Sequence, residues 1–356
     1  MKLRILAALC ALVLVCTSLV GCGGNRGSGA DVHVFYYTYS DTYVSTVRAA
    51  LDKKLNDANL SYQAYDAGGN QTTQTEQIRT AITKGAKMLL VNIVNTGSDD
   101  AANEIVGLAR DAGIPLVFFN REVSDAVITS YDKCAFVGTR AVEAGILQGE
   151  MIGEYLLKNY DAIDLNKDGQ ISYILFKGEE GNNEAIYRTR YSVEEANSLL
   201  QKNGKQALRF YDPANSNGYL VDQNGQWSAA AANDYMTTAL ASHSVAGGNM
   251  IELVICNNDS MAEGAISALN AAGFNKGGDS PVIPVFGVDA TEAAKSLIKD
   301  GKMAGTVMQD ASGMADALAL LAGNSVQGKG LMEGTESLSV DQDVSKIRIP
   351  YGKYLG

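Results

Sequence analysis

The sequence predicts an α/β protein of two lobes, each a parallel sheet covered by helices on both faces. Three observations predict it. Short apolar runs alternate with amphipathic helical stretches along nearly the whole chain. The runs are continuously apolar, as strands buried on both faces are. The alternation occurs twice over in 356 residues, a length for which two domains are the default.

In the first half, Val32–Tyr37, Tyr62–Tyr65, Met88–Val94 and Pro115–Phe119 read as strands. Between them, Val44–Asn59, Thr73–Lys84 and Ala101–Asp111 carry helical spacing. The second half repeats the pattern with helices over Ala141–Asn159, Glu184–Asn203, Ala229–Ser242 and Ser260–Ala271. Its strands fall at Ile171–Phe176, Leu208–Tyr211, Leu253–Cys256 and Val282–Val288. Ala304–Met308, a helix over Met314–Leu321 and a strand near Val344–Pro350 finish the chain. One lobe is expected from residues 31–139 plus 311–345, the other from 140–310 plus 346–356.

The N-terminus is a separate matter. Met1-Lys2-Leu3-Arg4 is basic, Ile5 to Val20 is apolar but too short to span comfortably, and Gly21-Cys22-Gly23-Gly24 follows. This is the pattern of a secretory signal peptide over residues 1–21. Leu19-Val20-Gly21-Cys22 is similar to a bacterial lipobox, which implies cleavage before Cys22 and a lipid on its thiol. Residues 22–30, rich in Gly, Ser and Asn, read as a flexible tether. One lipid and a tether anchor a protein to the outer side of a membrane without spanning it, at the cell surface or in a periplasm.

Composition narrows the function. The net charge is −11, and removal of Lys2 and Arg4 makes the mature chain more acidic still. Such a surface repels phosphate backbones and argues against nucleic acid. Cys134 and Cys256 sit in apolar runs and read as small buried thiols. His33 and His243 show no metal-ligand spacing, and no glycine-rich phosphate loop is present.

In open α/β sheets, ligands sit beyond the carboxyl ends of the strands. There the sequence places Asp41 and Tyr43, then Asn120-Arg121-Glu122, Gly178 through Glu184, Asn257-Asn258-Asp259, Asp289, and Gln309-Asp310. Nearly every strand ends in an amide or an acid, which suits a hydroxyl-rich, uncharged ligand. Arg188 follows Glu184 by one helical turn, so both can address one ligand. Trp227 is either a core residue or a stacking platform for a sugar ring, with Tyr43 as the opposite face.

One loop stands apart. Asp164, Asn166 and Asp168 place oxygens at alternate positions, and Gly169 follows, as in the first half of an EF-hand calcium loop. The acid that closes such a loop is missing, because its twelfth position is Leu175. Either another part of the chain supplies it, or the stretch is a solvated acidic turn.

Several segments resemble the galactose/glucose-binding proteins: Tyr37–Tyr43, Val117–Asn120, Asp164–Ser172, Lys177–Glu179, Asn257–Ala262 and Pro284–Ala290. The resemblance runs in order along nearly the whole mature chain. It implies the hinged, two-lobed periplasmic-binding-protein type I fold and the receptor role of an ABC sugar importer. The partners implied are a monosaccharide and the permease's membrane subunits, with a chemoreceptor as a further one, and the chain is expected to be a monomer and not an enzyme.

By matching positions, the resemblance implies that Asp41, Asn120, Arg188, Asn258 and Asp289 hold ring hydroxyls, while Tyr43 and Trp227 sandwich the ring. It also implies that Glu252 completes a structural calcium site with Asp164, Asn166, Asp168, Gln170 and Ser172. The chain departs from the family at Asn182, Glu184 and Gln309, where His, Asp and Asn are usual, at Tyr43 for Phe, and at Ser172 for a longer Gln. Tyr211–Gln226 looks like an enlarged loop. Moving a polar partner by one methylene in a dry site costs about 1–3 kcal/mol, so another hexose or a pentose is an alternative ligand. A sugar sensor without transport is a second alternative, and a glycosidase using paired carboxylates a third.

Overall fold

The computed structural model describes residues 29–356. The expected signal peptide, the lipidated Cys22 and the tether up to residue 28 lie outside the described residues.

The first sheet has the order β12-β13-β5-β4-β3-β1-β2. Its strands are β1 (Val32–Tyr36), β2 (Tyr62–Asp66), β3 (Met88–Val91), β4 (Leu116–Phe119), β5 (Cys134–Gly138), β12 (Ser339–Val340) and β13 (Lys346–Arg348). All pairs are parallel except the short β12–β13 edge. Alternation along β1 splits its side chains between two cores. Val32, Val34 and Tyr36 pack towards α1 (Thr42–Asp57) and α10 (Ala311–Val326). Phe35 packs on the other face, towards α2 (Gln71–Thr83), α3 (Asp100–Ala112) and α4 (Asp125–Thr129). Phe118 and Phe136 are fully buried in that second core, each side chain contributing about 2–3 kcal/mol by area.

The second sheet has the order β14-β11-β10-β9-β6-β7, with β8 also on β6. Its strands are β6 (Ser172–Lys177), β7 (Arg209–Phe210), β8 (Leu220–Val221), β9 (Leu253–Cys256), β10 (Val285–Asp289), β11 (Gly305–Gln309) and β14 (Tyr351–Tyr354). One face carries α7 (Ala229–Leu240), α8 (Asp259–Ala271) and α9 (Glu292–Lys299), the other α5 (Ala141–Ile163) and α6 (Asn183–Lys202). Helices α5 and α6 approach closely at Gly149, where a Cβ would lie 2.8 Å from the Ser192 carbonyl oxygen. Among the described residues, no helix is long and apolar enough to cross a membrane.

The chain crosses between the sheets three times, after β5, after β11 and after β13. Two of the crossings are tied side by side: the Ile349 amide donates to the Gly138 carbonyl at 2.8 Å, and the Thr139 hydroxyl to the Tyr351 hydroxyl at 2.8 Å. The last crossing corrects a boundary. Lys346–Arg348 pairs with β5 in the first sheet, so the chain changes lobes between Arg348 and Tyr351 instead of at residue 346. Pro350 sits in that crossing and, with no N–H to give, ends the strand expected near Val344–Pro350, and β14 begins after it. The elements not anticipated are α4, β5, β8, α9, β12 and β14.

Candidate functional site

A cleft of about 370 Å³, mouth included, lies between the carboxyl ends of the two sheets. All ten expected residues line it. The first lobe presents Asp41, Tyr43 and Asn120. The second presents Asn182, Glu184, Arg188, Trp227, Asn258, Asp289 and Gln309. Tyr37, Val44 and Arg121 also line it; none of the three is among the expected ligand contacts, although Arg121 lies at an expected strand end.

Helix starts bring many of these side chains there. Asp41, Asn182 and Asn258 are the N-cap residues of α1, α6 and α8, accepting from Val44, Ala185 and Met261 amides. The helix N-termini therefore face the cleft, where they favour electron-rich oxygen. Backbone strain gathers here too. Asn120 (φ 62°), Trp227 (φ 55°) and Asp289 (φ 127°) adopt positive φ without being glycine. Each costs on the order of 1–3 kcal/mol, and such strain clusters at ligand sites.

Support residues hold this geometry. Asn92, fully buried, donates to the Asn120 side chain at 3.2 Å and accepts from the Tyr37 amide at 3.3 Å. Arg188 donates to the Asn257 carbonyl (2.9 Å), the Tyr351 hydroxyl (3.0 Å) and Gln309 Oε1 (3.2 Å), and lies 4.0 Å from Asp289. Trp227 is 7% exposed and lies over Gly178, where a Cβ would fall 2.1 Å from the indole. Only glycine lets the ring settle there.

Electrostatics follow from burial. Burial pushes the Asp289 carboxyl well above its ordinary range, and Arg188 only partly offsets this. Burial raises Glu184 as well, again partly offset by Arg188. For Arg188 itself burial works against the charge, but Tyr351, Asp289 and Glu184 outweigh it and hold the guanidinium cationic. Five buried polar atoms of cleft residues have no partner: Tyr43 hydroxyl, Arg121 Nε, Glu184 Oε2, Arg188 Nε and Gln309 Nε2. Buried polar groups are rarely left so, and this combination of donors and acceptors suits a ligand carrying hydroxyls.

A chain of contacts crosses between the lobes. The Tyr37 hydroxyl donates to Asp41 at 2.6 Å, and the Arg121 guanidinium lies 4.4 Å over the Tyr37 ring. Arg121 then pairs with Glu179 of the second lobe at 2.8 Å, and the Trp227 indole donates to Glu179 at 3.3 Å. Asn182 reaches across to Thr96 at 3.2 Å. The structure is thus of the closed form.

The six expected calcium donors lie in one region but are not aimed at one point. The Asn166 amide is doubly paired with the Met250 peptide, and Gln170 donates to Ala207. The Ser172 hydroxyl donates towards Met250 and Glu252. Asp168 is paired with Arg209, while Asp164 accepts two amides of its own loop. Among the described residues, no three His, Cys, Asp or Glu side chains are placed to hold one ion. As placed, these side chains are engaged by protein groups and do not converge as a calcium site requires.

A hinged pair of α/β lobes closed over a polar cleft defines a solute-binding receptor. Residues 32–330 match the model of the periplasmic binding protein domain, and the chain belongs to that family. It is 34% identical over 345 residues to the D-galactose/methyl-galactoside binding periplasmic protein MglB of Haemophilus influenzae, covering 97% of this chain and 95% of that one. It is 22% identical to the ribose import binding protein RbsB of Escherichia coli, over 92% of this chain and 96% of that one. Among solved structures it resembles an ABC transporter solute binding protein from Bacillus halodurans with bound myo-inositol, at TM-score 0.69 and 25% identity, covering 92% and 95% of the two chains.

Proposed function

We propose that this protein is an extracytoplasmic receptor that binds one monosaccharide, galactose or glucose, between its lobes and delivers it to the membrane permease of an ABC importer. The observation that carries this reading is the set of buried, unpartnered polar atoms contributed by both lobes to one cleft: Tyr43 and Arg121 from the first, Glu184, Arg188 and Gln309 from the second. The relationship to the Haemophilus galactose-binding protein supports the choice of sugar. Asp41, Asn120, Asn258 and Asp289 accept from or donate to ring hydroxyls, and Tyr43 and Trp227 cover the two faces of the ring. Because each lobe supplies part of the contacts, the ligand binds the closed state better and shifts the population towards it. The closed form then offers one composite surface to the permease, and the same surface serves a chemoreceptor. A lipid on Cys22 tethers the receptor to the membrane.

A different neutral polyol is the second reading. It is favoured by the buried, unpartnered hydroxyl of the cleft residue Tyr43 and by the inositol-bound Bacillus relative. A thermal-shift screen against monosaccharides and inositols separates the two, since a ligand that binds only the folded state raises the midpoint. Galactose or glucose is expected to give the largest shift. A larger shift with an inositol or pentose replaces the sugar, and no shift with any of them overturns the receptor reading. Recovery of the sugar unchanged after incubation is expected of a receptor; a cleaved glycoside would make it an enzyme.

A further inference from the structure

The loop Asp164–Ser172 has the residue types of a cation site, yet its atoms are engaged elsewhere. Calcium takes six to eight oxygens at about 2.3–2.6 Å. The Asn166 side chain is engaged at both ends: its Oδ1 accepts from the Met250 amide at 2.7 Å and its Nδ2 donates to the Met250 carbonyl at 2.9 Å. Turning that oxygen elsewhere breaks both bonds. Ser172, too short to reach far, donates to the Met250 carbonyl at 2.6 Å and lies 3.1 Å from Glu252 Oε2.

Glu252 is fully buried. Its Oε1 accepts from the Asn166 amide at 2.8 Å and its Oε2 from the Ser172 amide at 2.9 Å. The acid that would clamp a metal therefore clamps the loop directly. The remaining charge is met by a side chain. Strand β7 lies beside β6 with Ser172 opposite Arg209, which carries the Arg209 guanidinium to 2.8 Å from Asp168 Oδ2. The other Asp168 oxygen accepts from the Gln170 amide at 3.1 Å, and Asp164 accepts from the Asp168 and Gly169 amides.

We propose that this loop is a cation-independent clasp, in which Glu252 binds the loop's own N–H groups and Arg209 supplies the positive charge on Asp168. The hold is unequal. The Glu252 bonds are buried, whereas Arg209 and Asp168 are 48% and 37% exposed, so their pair is weak and sensitive to salt.

The test uses the full folded chain. Thermal midpoints in excess EDTA and in millimolar calcium are expected to coincide, and titration of calcium into the EDTA-treated protein is expected to be flat. Glu252→Gln places an amide N–H against the loop's own N–H groups. It is expected to lower the midpoint by about 4–8 °C equally in both buffers. Arg209→Gln is expected to lower it by about 1–2 °C at low salt and not at 1 M salt. A calcium-dependent rise of the unsubstituted midpoint, a saturable calcium isotherm, or a Glu252→Gln loss confined to calcium overturns the proposal. If Glu252→Gln fails to fold, the comparison of the unsubstituted protein in the two buffers decides alone.

Discussion

The cleft and the Asp164–Ser172 loop use the same residue types, acids and amides around a turn, to opposite ends. In the loop nearly every oxygen named is met by the loop itself, by Met250 or by Arg209. In the cleft, Tyr43, Glu184, Arg188 and Gln309 each keep a buried polar atom without a protein partner. Satisfied polar groups hold a fold together; unsatisfied ones await a ligand. Side-chain identity alone does not distinguish the two.

The comparison can be broken first at Asp289. Asp289→Ala removes a buried cleft carboxylate beside Arg188 and is expected to weaken sugar binding at least 100-fold, about 3 kcal/mol, with the fold intact. Asp41→Ala is expected to do the same while costing about 1 kcal/mol of stability as a lost helix cap. Unchanged affinity by calorimetry in both variants would remove the cleft from the binding site.

Gly178→Ala comes next. The new methyl would meet the Trp227 indole, so the ring must shift, with an expected loss of about 10- to 100-fold. An affinity within about twofold of the unsubstituted protein would mean that the indole does not cover the ligand. Glu179→Gln tests the crossing between lobes. It weakens the Arg121 pair and is expected to lower affinity about three- to tenfold by favouring the open form. Small-angle scattering of the liganded protein should report a larger open fraction, and an unchanged profile would count against it.

The smallest effect is on pH. Burial pushes Asp259 up to about 7 and raises Glu184 and Asp289. Between about pH 4 and pH 7 the unfolded chain has therefore lost protons that the folded one keeps. Stability of the ligand-free protein is expected to fall as pH rises through that window. Calorimetric scans at about pH 5 and pH 7 would show a lower midpoint at the higher pH; the reverse order would refute the assignment.

The alternating apolar runs made the sheets legible, because a strand buried on both faces leaves an unbroken apolar signature. Short edge strands such as β8 and β12 bury little and leave no such trace. Cleft residues on helix caps were legible because an Asn or Asp between a strand-like run and a helical one is both a capping and a ligand signal. Arg121 and Tyr37 were not, since their part depends on Glu179 arriving from the other lobe. Asn92 was hidden at the end of an apolar run, and Tyr351 acts from the far end of the chain. The acidic loop shows the limit most plainly. Its spacing specified donors, but Arg209 enters only because β7 happens to pair beside β6.

The last residues of the chain have a consequence for how the molecule assembles. Strand β13 lies inside the first sheet between β12 and β5, and β14 edges the second. The first sheet is complete only once Lys346–Arg348 is in place and the second only once Tyr351–Tyr354 is. One short stretch, residues 346–354, therefore closes both lobes, and a chain stopped before residue 346 lacks a strand of each.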